Sequence, residues 1–210
     1  MISRRHFNLM AGAGTLGLLS GPASAWAAQT AYKPTRTEDG QYTEPWFLEG
    51  FLDLKDDLET AQKGGKRLAV LWELAGCPYC RETHLVNFAV PEITNYIKEN
   101  FEIVQMDYNG LRDTVDFNGD TLKEKNLAKR HKIRFTPTVQ FFAETPKGGE
   151  TKGGINKMEV ARMPGYFRPF HFLTMFQYVR EKGYETGNYR SYLKTKIESY
   201  SRKGKKLPSW

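Results

Sequence analysis

Cys77-Pro78-Tyr79-Cys80 holds the only two cysteines in this 210-residue chain, and its flanks leave few places for it in a fold. The run Arg67-Leu68-Ala69-Val70-Leu71-Trp72-Glu73-Leu74 before it reads as a buried strand. The run after it, from Arg81 through Val86 to Ala89, reads as a helix. A C-x-x-C at a strand-to-helix junction sets Cys77 at a helix N-terminus, where unpaired N–H groups and the helix dipole favour a thiolate. Cys77 is therefore the expected nucleophile. Cys80, one turn on, is expected to attack a mixed disulfide on Cys77 and release the product, leaving a redox disulfide Cys77–Cys80. So short a loop closes little chain entropy and would stabilise a fold poorly. A structural zinc site wants four ligands, and there is no second C-x-x-C; His84 lies one turn beyond Cys80, and His131 and His171 lie elsewhere. Covalent haem attachment needs C-x-x-C-H, and here Arg81 follows. No metal and no cofactor are expected.

The first residues read as an address. Ser3-Arg4-Arg5-His6-Phe7-Asn8-Leu9 has a twin-arginine export pattern, a Gly-rich apolar stretch runs from Met10 to Ser20, and Ala25-Trp26-Ala27 suits cleavage near Ala27. The apolar stretch is too short and too rich in glycine for a stable membrane span. Residues 1–27 are thus an expected export signal, and the expected location is the periplasm. The formal charge of +7 becomes +5 without Arg4 and Arg5. Much of the excess lies at Arg202, Lys203, Lys205 and Lys206. A basic tail could meet nucleic acid or anionic lipid; for an exported chain a solvated tail is the preferred reading, with no nucleic acid as partner.

Along the rest of the chain, residues 28–48 read as an extended lead-in. Phe51 to Gln62 reads as an amphipathic helix ended by Gly64-Gly65. A helix starts at Pro91, a strand runs from Phe101 to Tyr108, and Asn109 to Asp120 is a long polar loop. Leu122 to His131 is helical and Thr138 to Phe142 a strand. Residues 144–157 connect it to a return strand, Met158 to Met163. Two helices follow, Phe167 to Lys182 and Tyr189 to Tyr200. Phe135, Phe141 and Phe142, with Phe167, Phe170, Phe172 and Phe176, read as core. The order is mixed α/β: parallel strands joined by helices, then an antiparallel hairpin.

This arrangement resembles the thioredoxin fold, a central mixed sheet flanked by helices, here with a C-terminal helical extension. The stretch from Arg130 through Thr136-Pro137 to Phe142 resembles the thioredoxin segment that carries the cis-proline, with Pro137 at that position. Gly165 matches the glycine between the last strand and the last helix. The resemblance places a thioredoxin-like domain at residues 49–184, with a C-terminal helix and basic tail at 185–210. Within that superfamily the chain looks most like the periplasmic thioredoxins of the SoxW type, on Trp72-Glu73-Leu74-Ala75-Gly76-Cys77-Pro78-Tyr79-Cys80.

The resemblance implies a thiol–disulfide oxidoreductase. It also implies a docking surface made of Gly76, Pro78, Tyr79, Thr136, Pro137 and Gly165. There the backbone of Thr136 faces outward beside the reactive thiol, and an extended substrate can pair with it. Thioredoxins keep a buried carboxylate six residues before the first cysteine. That position here is Leu71, whereas Glu73 lies two residues on and on the same strand face. Glu73 is either the proton acceptor that activates Cys80 or a half-exposed residue at a strand end. His84, on a helix side read as exposed, is expected to be solvated. The implied activity is a monomeric reductant of periplasmic protein disulfides, linked to sulfur oxidation or cytochrome maturation. Its implied electron donor is a membrane thiol transporter of the CcdA type. Two alternatives stand: a DsbA-like oxidant in protein folding, and a non-catalytic module that binds a partner or holds copper(I).

Overall fold

The computed structural model describes residues 32–145 and 158–210. The expected export signal, the start of the lead-in and most of the connection 144–157 lie outside the described residues. In chain order the elements are β1 (Thr35–Arg36), β2 (Tyr42–Thr43), α1 (Leu54–Lys63), β3 (Arg67–Glu73), α2 (Pro78–Glu82), a π-helical turn (Thr83–Asn87), α3 (Pro91–Asn100) and β4 (Phe101–Asp107). These are followed by β5 (Asp113–Val115), β6 (Thr121–Lys123), α4 (Glu124–Arg130), β7 (Thr138–Phe142), β8 (Glu159–Pro164), α5 (Pro169–Arg180), α6 (Gly183–Thr186) and α7 (Tyr189–Arg202).

Every residue of β3 is buried, because the strand is central in a sheet covered on both faces. It pairs parallel with β4 and antiparallel with β7, and β8 closes the edge, in the order β4-β3-β7-β8. Side chains alternate between faces. Ala69 and Leu71 pack with Ile93 and Ile97 of α3 and with Phe172 and Phe176 of α5. Leu68, Val70 and Trp72 pack with Leu54, Leu58 and Ala61 of α1 and Leu127 of α4. Burying one such apolar side chain contributes about 1.5–3 kcal/mol. A helix cap such as Asp53, whose Oδ1 accepts from the N–H groups of Lys55 and Asp56, contributes about 1 kcal/mol. The two apolar clusters therefore hold the layers, and the caps set only where helices begin. The architecture is the three-layer α/β fold expected, with helices added at the C-terminus. Among the described residues no helix is long and apolar enough to cross a membrane.

Three expectations need correction. The loop read at 109–120 contains β5, which pairs with β6 in the register Asp113↔Lys123 to Val115↔Thr121. The hydroxyl of the buried Thr114 donates to the carbonyl of Leu122 at 2.8 Å. That pairing takes up Leu122, so α4 starts at Glu124. Phe135 is not core: it is 62% exposed, because it lies in the turn before β7 rather than in the strand. The lead-in is more than an extended tether. It forms the hairpin β1–β2, and the N–H of Leu48 donates to the carbonyl of Ile103 in β4 at 2.8 Å.

Candidate active site

The end of β3 and the start of α2 place the two thiols. Gly76 has φ +75°, a left-handed conformation that glycine adopts without strain. It turns the chain so that Cys77 becomes the N-cap of α2. Pro78 follows at a first-turn position that has no use for an N–H. The Cys77 sulfur accepts from the N–H of Cys80 at 3.2 Å. Cys77 is partly exposed and Cys80 is buried, both as free thiols. Burial, the charge of Glu73 and the hydrogen bond with Cys77 push the Cys80 thiol far up from its ordinary range.

The turn before β7 supplies the opposite wall. The Thr136–Pro137 bond is cis, the geometry expected from the sequence. The Cys77 thiol donates to the Thr136 carbonyl at 3.4 Å, and the Thr136 hydroxyl lies 3.5 Å from the same sulfur. Gly165, at φ +81°, donates its N–H to the Pro137 carbonyl at 2.7 Å. The exposed Tyr79 ring stacks on Tyr166, with centroids 6.3 Å apart and planes 19° from parallel. The structure thus brings Gly76, Cys77, Pro78, Tyr79, Thr136, Pro137 and Gly165 to one end of the sheet.

Glu73 is 1% exposed, so the half-exposed alternative is ruled out. With both cysteines it lines a cleft of about 260 Å³. One carboxylate oxygen, Oε2, meets His84 Nε2 at 2.9 Å and accepts from Gln105 Nε2 at 2.5 Å. The other, Oε1, is buried without a hydrogen-bond partner. Burial pushes Glu73 up from the usual carboxylate range, against the opposing pull of His84 and Gln105.

The expectation of a solvated His84 is overturned: it is fully buried. The helix widens into the π turn at Thr83–Asn87, with the N–H of Phe88 donating to the Thr83 carbonyl at 3.0 Å. His84 lies within that turn, and Glu44 meets its Nδ1 at 2.7 Å. Tyr32 in turn donates its hydroxyl proton to Glu44. Burial works against a charge on His84, but the hydrogen bonds to Glu44 and Glu73 outweigh it and raise its pKa from 6.5 to about 9.

Sequence reasoning missed Glu44, Gln105, Tyr166 and Tyr32. Only Gln105 had a signal, as a polar residue on the same strand face as the core residue Ile103. The lead-in also contributes Arg36 and Tyr42 to the cleft beside the thiols. The Arg36 guanidinium donates to the Tyr42 hydroxyl at 2.5 Å.

A fold with a C-x-x-C at the end of a central strand, facing a cis-proline turn, defines a thioredoxin-like protein. The model of the thioredoxin-like domain matches residues 54–180, and the chain belongs to that family. No curated protein matches it. Among solved structures it is similar to a thioredoxin-fold protein from Helicobacter pylori, at 18% identity over 74% of this chain and 89% of the other, with a TM-score of 0.52. A thioredoxin from Thermus thermophilus aligns at 24% identity over 62% of this chain and 86% of the other, with a TM-score of 0.46. The C-terminal domain of DsbD from Neisseria meningitidis, in its oxidised form, aligns at 16% identity over 59% and 90%, with a TM-score of 0.39. At 18% identity the likeness to the Helicobacter pylori protein speaks to the fold alone.

Proposed function

We propose that this chain is an exported thiol–disulfide oxidoreductase that reduces disulfides of other periplasmic proteins. The observation that carries the reading is the asymmetry of the pair: an accessible Cys77 beside the backbone of Thr136, and a buried Cys80 beside a buried carboxylate. An extended substrate pairs with the backbone of Thr136 and sets its disulfide against Cys77. Tyr79, Pro78, Gly76 and Gly165 shape the rest of the docking surface. The Cys77 thiolate attacks one substrate sulfur; the substrate S–S bond breaks, the other sulfur leaves as a thiolate, and a mixed disulfide forms on Cys77. Cys80 then gives its proton to Glu73, and its thiolate attacks the Cys77 sulfur. The substrate sulfur held on Cys77 then leaves as a thiolate, and the pair ends as the disulfide Cys77–Cys80, two electrons poorer.

Export rests on the Arg4-Arg5 segment, and the resemblance to SoxW-type thioredoxins suggests sulfur oxidation or cytochrome maturation as the setting. A membrane thiol transporter of the CcdA type would then return the electrons, and the protein would act as a monomer.

Trapping tests the exchange. A Cys80→Ser variant cannot resolve its mixed disulfide, so isolating it from the periplasm should bring down covalent partners that dithiothreitol releases. Adducts no more abundant than with Cys77→Ser would favour a non-catalytic binding role. The reduction potential tests the direction: about −270 mV, as in thioredoxin, indicates a reductant, and about −120 mV, as in DsbA, an oxidant.

A further inference from the structure

Glu44 lies before the matched domain, which begins at residue 54, yet it is 4% exposed and hydrogen-bonded to a buried histidine. We propose that Glu44 and His84 are positioning residues for thiol exchange: with Glu73 they form a buried carboxylate–imidazolium–carboxylate unit that holds Glu73 beside Cys80 with one oxygen bare. The N-terminal lead-in is then a working part of the active site. This rests on the reading that Cys80 resolves mixed disulfides.

The geometry supports the unit from both ends. Both imidazole nitrogens face a carboxylate oxygen, at 2.7 Å and 2.9 Å, and a charged imidazole is the form that donates to both. His84 and Gln105 together take up Oε2 of Glu73, so the carboxylate cannot turn freely. Its Oε1 is left buried and unpartnered, which is costly in a structure and useful as a place for a proton. The rings packed on the imidazole are those of Tyr42, Phe47 and Phe88. The titratable and charged groups at the unit include Tyr42 on the imidazole, itself facing Arg36 and Arg81, Tyr32 on Glu44 and Cys80 beside Glu73. Glu44 also lines a second cleft, of about 890 Å³, that neither cysteine lines.

The first measurement uses the wild-type full chain. The ring resonances of His84, assigned by their loss in His84→Gln, are followed by NMR through a pH titration. Their midpoint is expected near 9; a ring that titrates at or below its ordinary value of about 6.5 would overturn the unit. The second measurement uses Glu44→Gln, which removes one of the two carboxylates on the imidazole. The His84 midpoint should fall by about one pH unit or more.

Resolution by Cys80 is then read with DTNB. Cys77 first displaces one nitrothiobenzoate and carries the other half as a mixed disulfide; Cys80 releases it by forming the Cys77–Cys80 bond. The pH profile of this second release should shift with His84. Superimposed profiles for wild type and Glu44→Gln, with the His84 midpoint moved, would show that the unit does not act on Cys80. If Glu44→Gln does not fold, the wild-type titration decides. A wild-type chain that reduces no protein disulfide would sink the functional reading alone, because the NMR and DTNB measurements need no protein substrate.

Discussion

Cys77 and Cys80 sit on one turn of α2 in different surroundings. Cys77 is reachable and takes a hydrogen bond from the Cys80 N–H, while Cys80 is 4% exposed and its thiol is pushed up. Iodoacetamide below about pH 7 should therefore label Cys77 first in the reduced protein. Peptide mapping that finds Cys80 labelled faster would reverse the roles. Asp57 offers a second single-residue test. It is buried in the first turns of α1, and its Oδ2 has no partner. Burial, with Asp53 and Asp56 nearby, raises its pKa from 3.8 to about 6. An acid raised on folding loses stabilisation as pH climbs through that interval, and the loss persists above it. Asp57→Asn should thus stabilise the protein by about 1–2 kcal/mol at neutral pH and leave it nearly unchanged near pH 4. Urea unfolding at the two pH values checks this, and equal midpoint shifts at both would contradict it.

Among the elements, the C-terminal helices depend on a few aromatic contacts. No residue of α7 is buried. The helix is held by the rings of Tyr189 and Tyr192 against Tyr178 of α5, and by the Tyr189 hydroxyl, which donates to the His171 carbonyl at 2.9 Å. Gly183 opens α6 directly under the Tyr178 ring: a Cβ there would lie 2.5 Å from Tyr178 Cδ2. Gly183→Ala should therefore cost about 1–3 kcal/mol through overpacking. Ile197→Ala on α7 should cost under about 1 kcal/mol. Guanidinium unfolding of both variants compares them; the reverse ranking would mean that α7 is anchored elsewhere.

For the whole molecule, the buried unit ties three distant stretches of chain together: the lead-in through Glu44, β3 through Glu73, and the π turn through His84. A histidine raised on folding from 6.5 to about 9 contributes stability that is full below 6.5 and lost as pH rises through 9. Unfolding free energy should therefore fall by on the order of 3 kcal/mol between about pH 7 and pH 10. In Glu44→Gln the decline should begin at lower pH. A wild-type stability that stays level across that range would mean that His84 carries no charge in the folded protein.

The architecture was legible in the sequence because its signals are local. An apolar run of β3 length, a C-x-x-C directly after it, and a Thr-Pro ahead of β7 each report their own backbone. Apolar patterning also located α1, α3, β4, β7 and α5. The β5–β6 hairpin was hidden because strands of three residues show too few alternations to be told from a loop. Phe135 was misplaced because hydrophobicity does not say whether a turn residue faces inward. The electrostatics of the site were out of reach for a different reason. Whether His84 is solvated or fully buried depends on a π turn that redirects it and on a hairpin of the lead-in that covers it. Glu44, Glu73 and Gln105 come from three separate stretches of chain. Sequence alone determined where the two thiols stand, at a strand-to-helix junction; tertiary packing decided which carboxylates and which imidazole surround them, because the charge of a buried group is set by neighbours that the chain brings together only on folding.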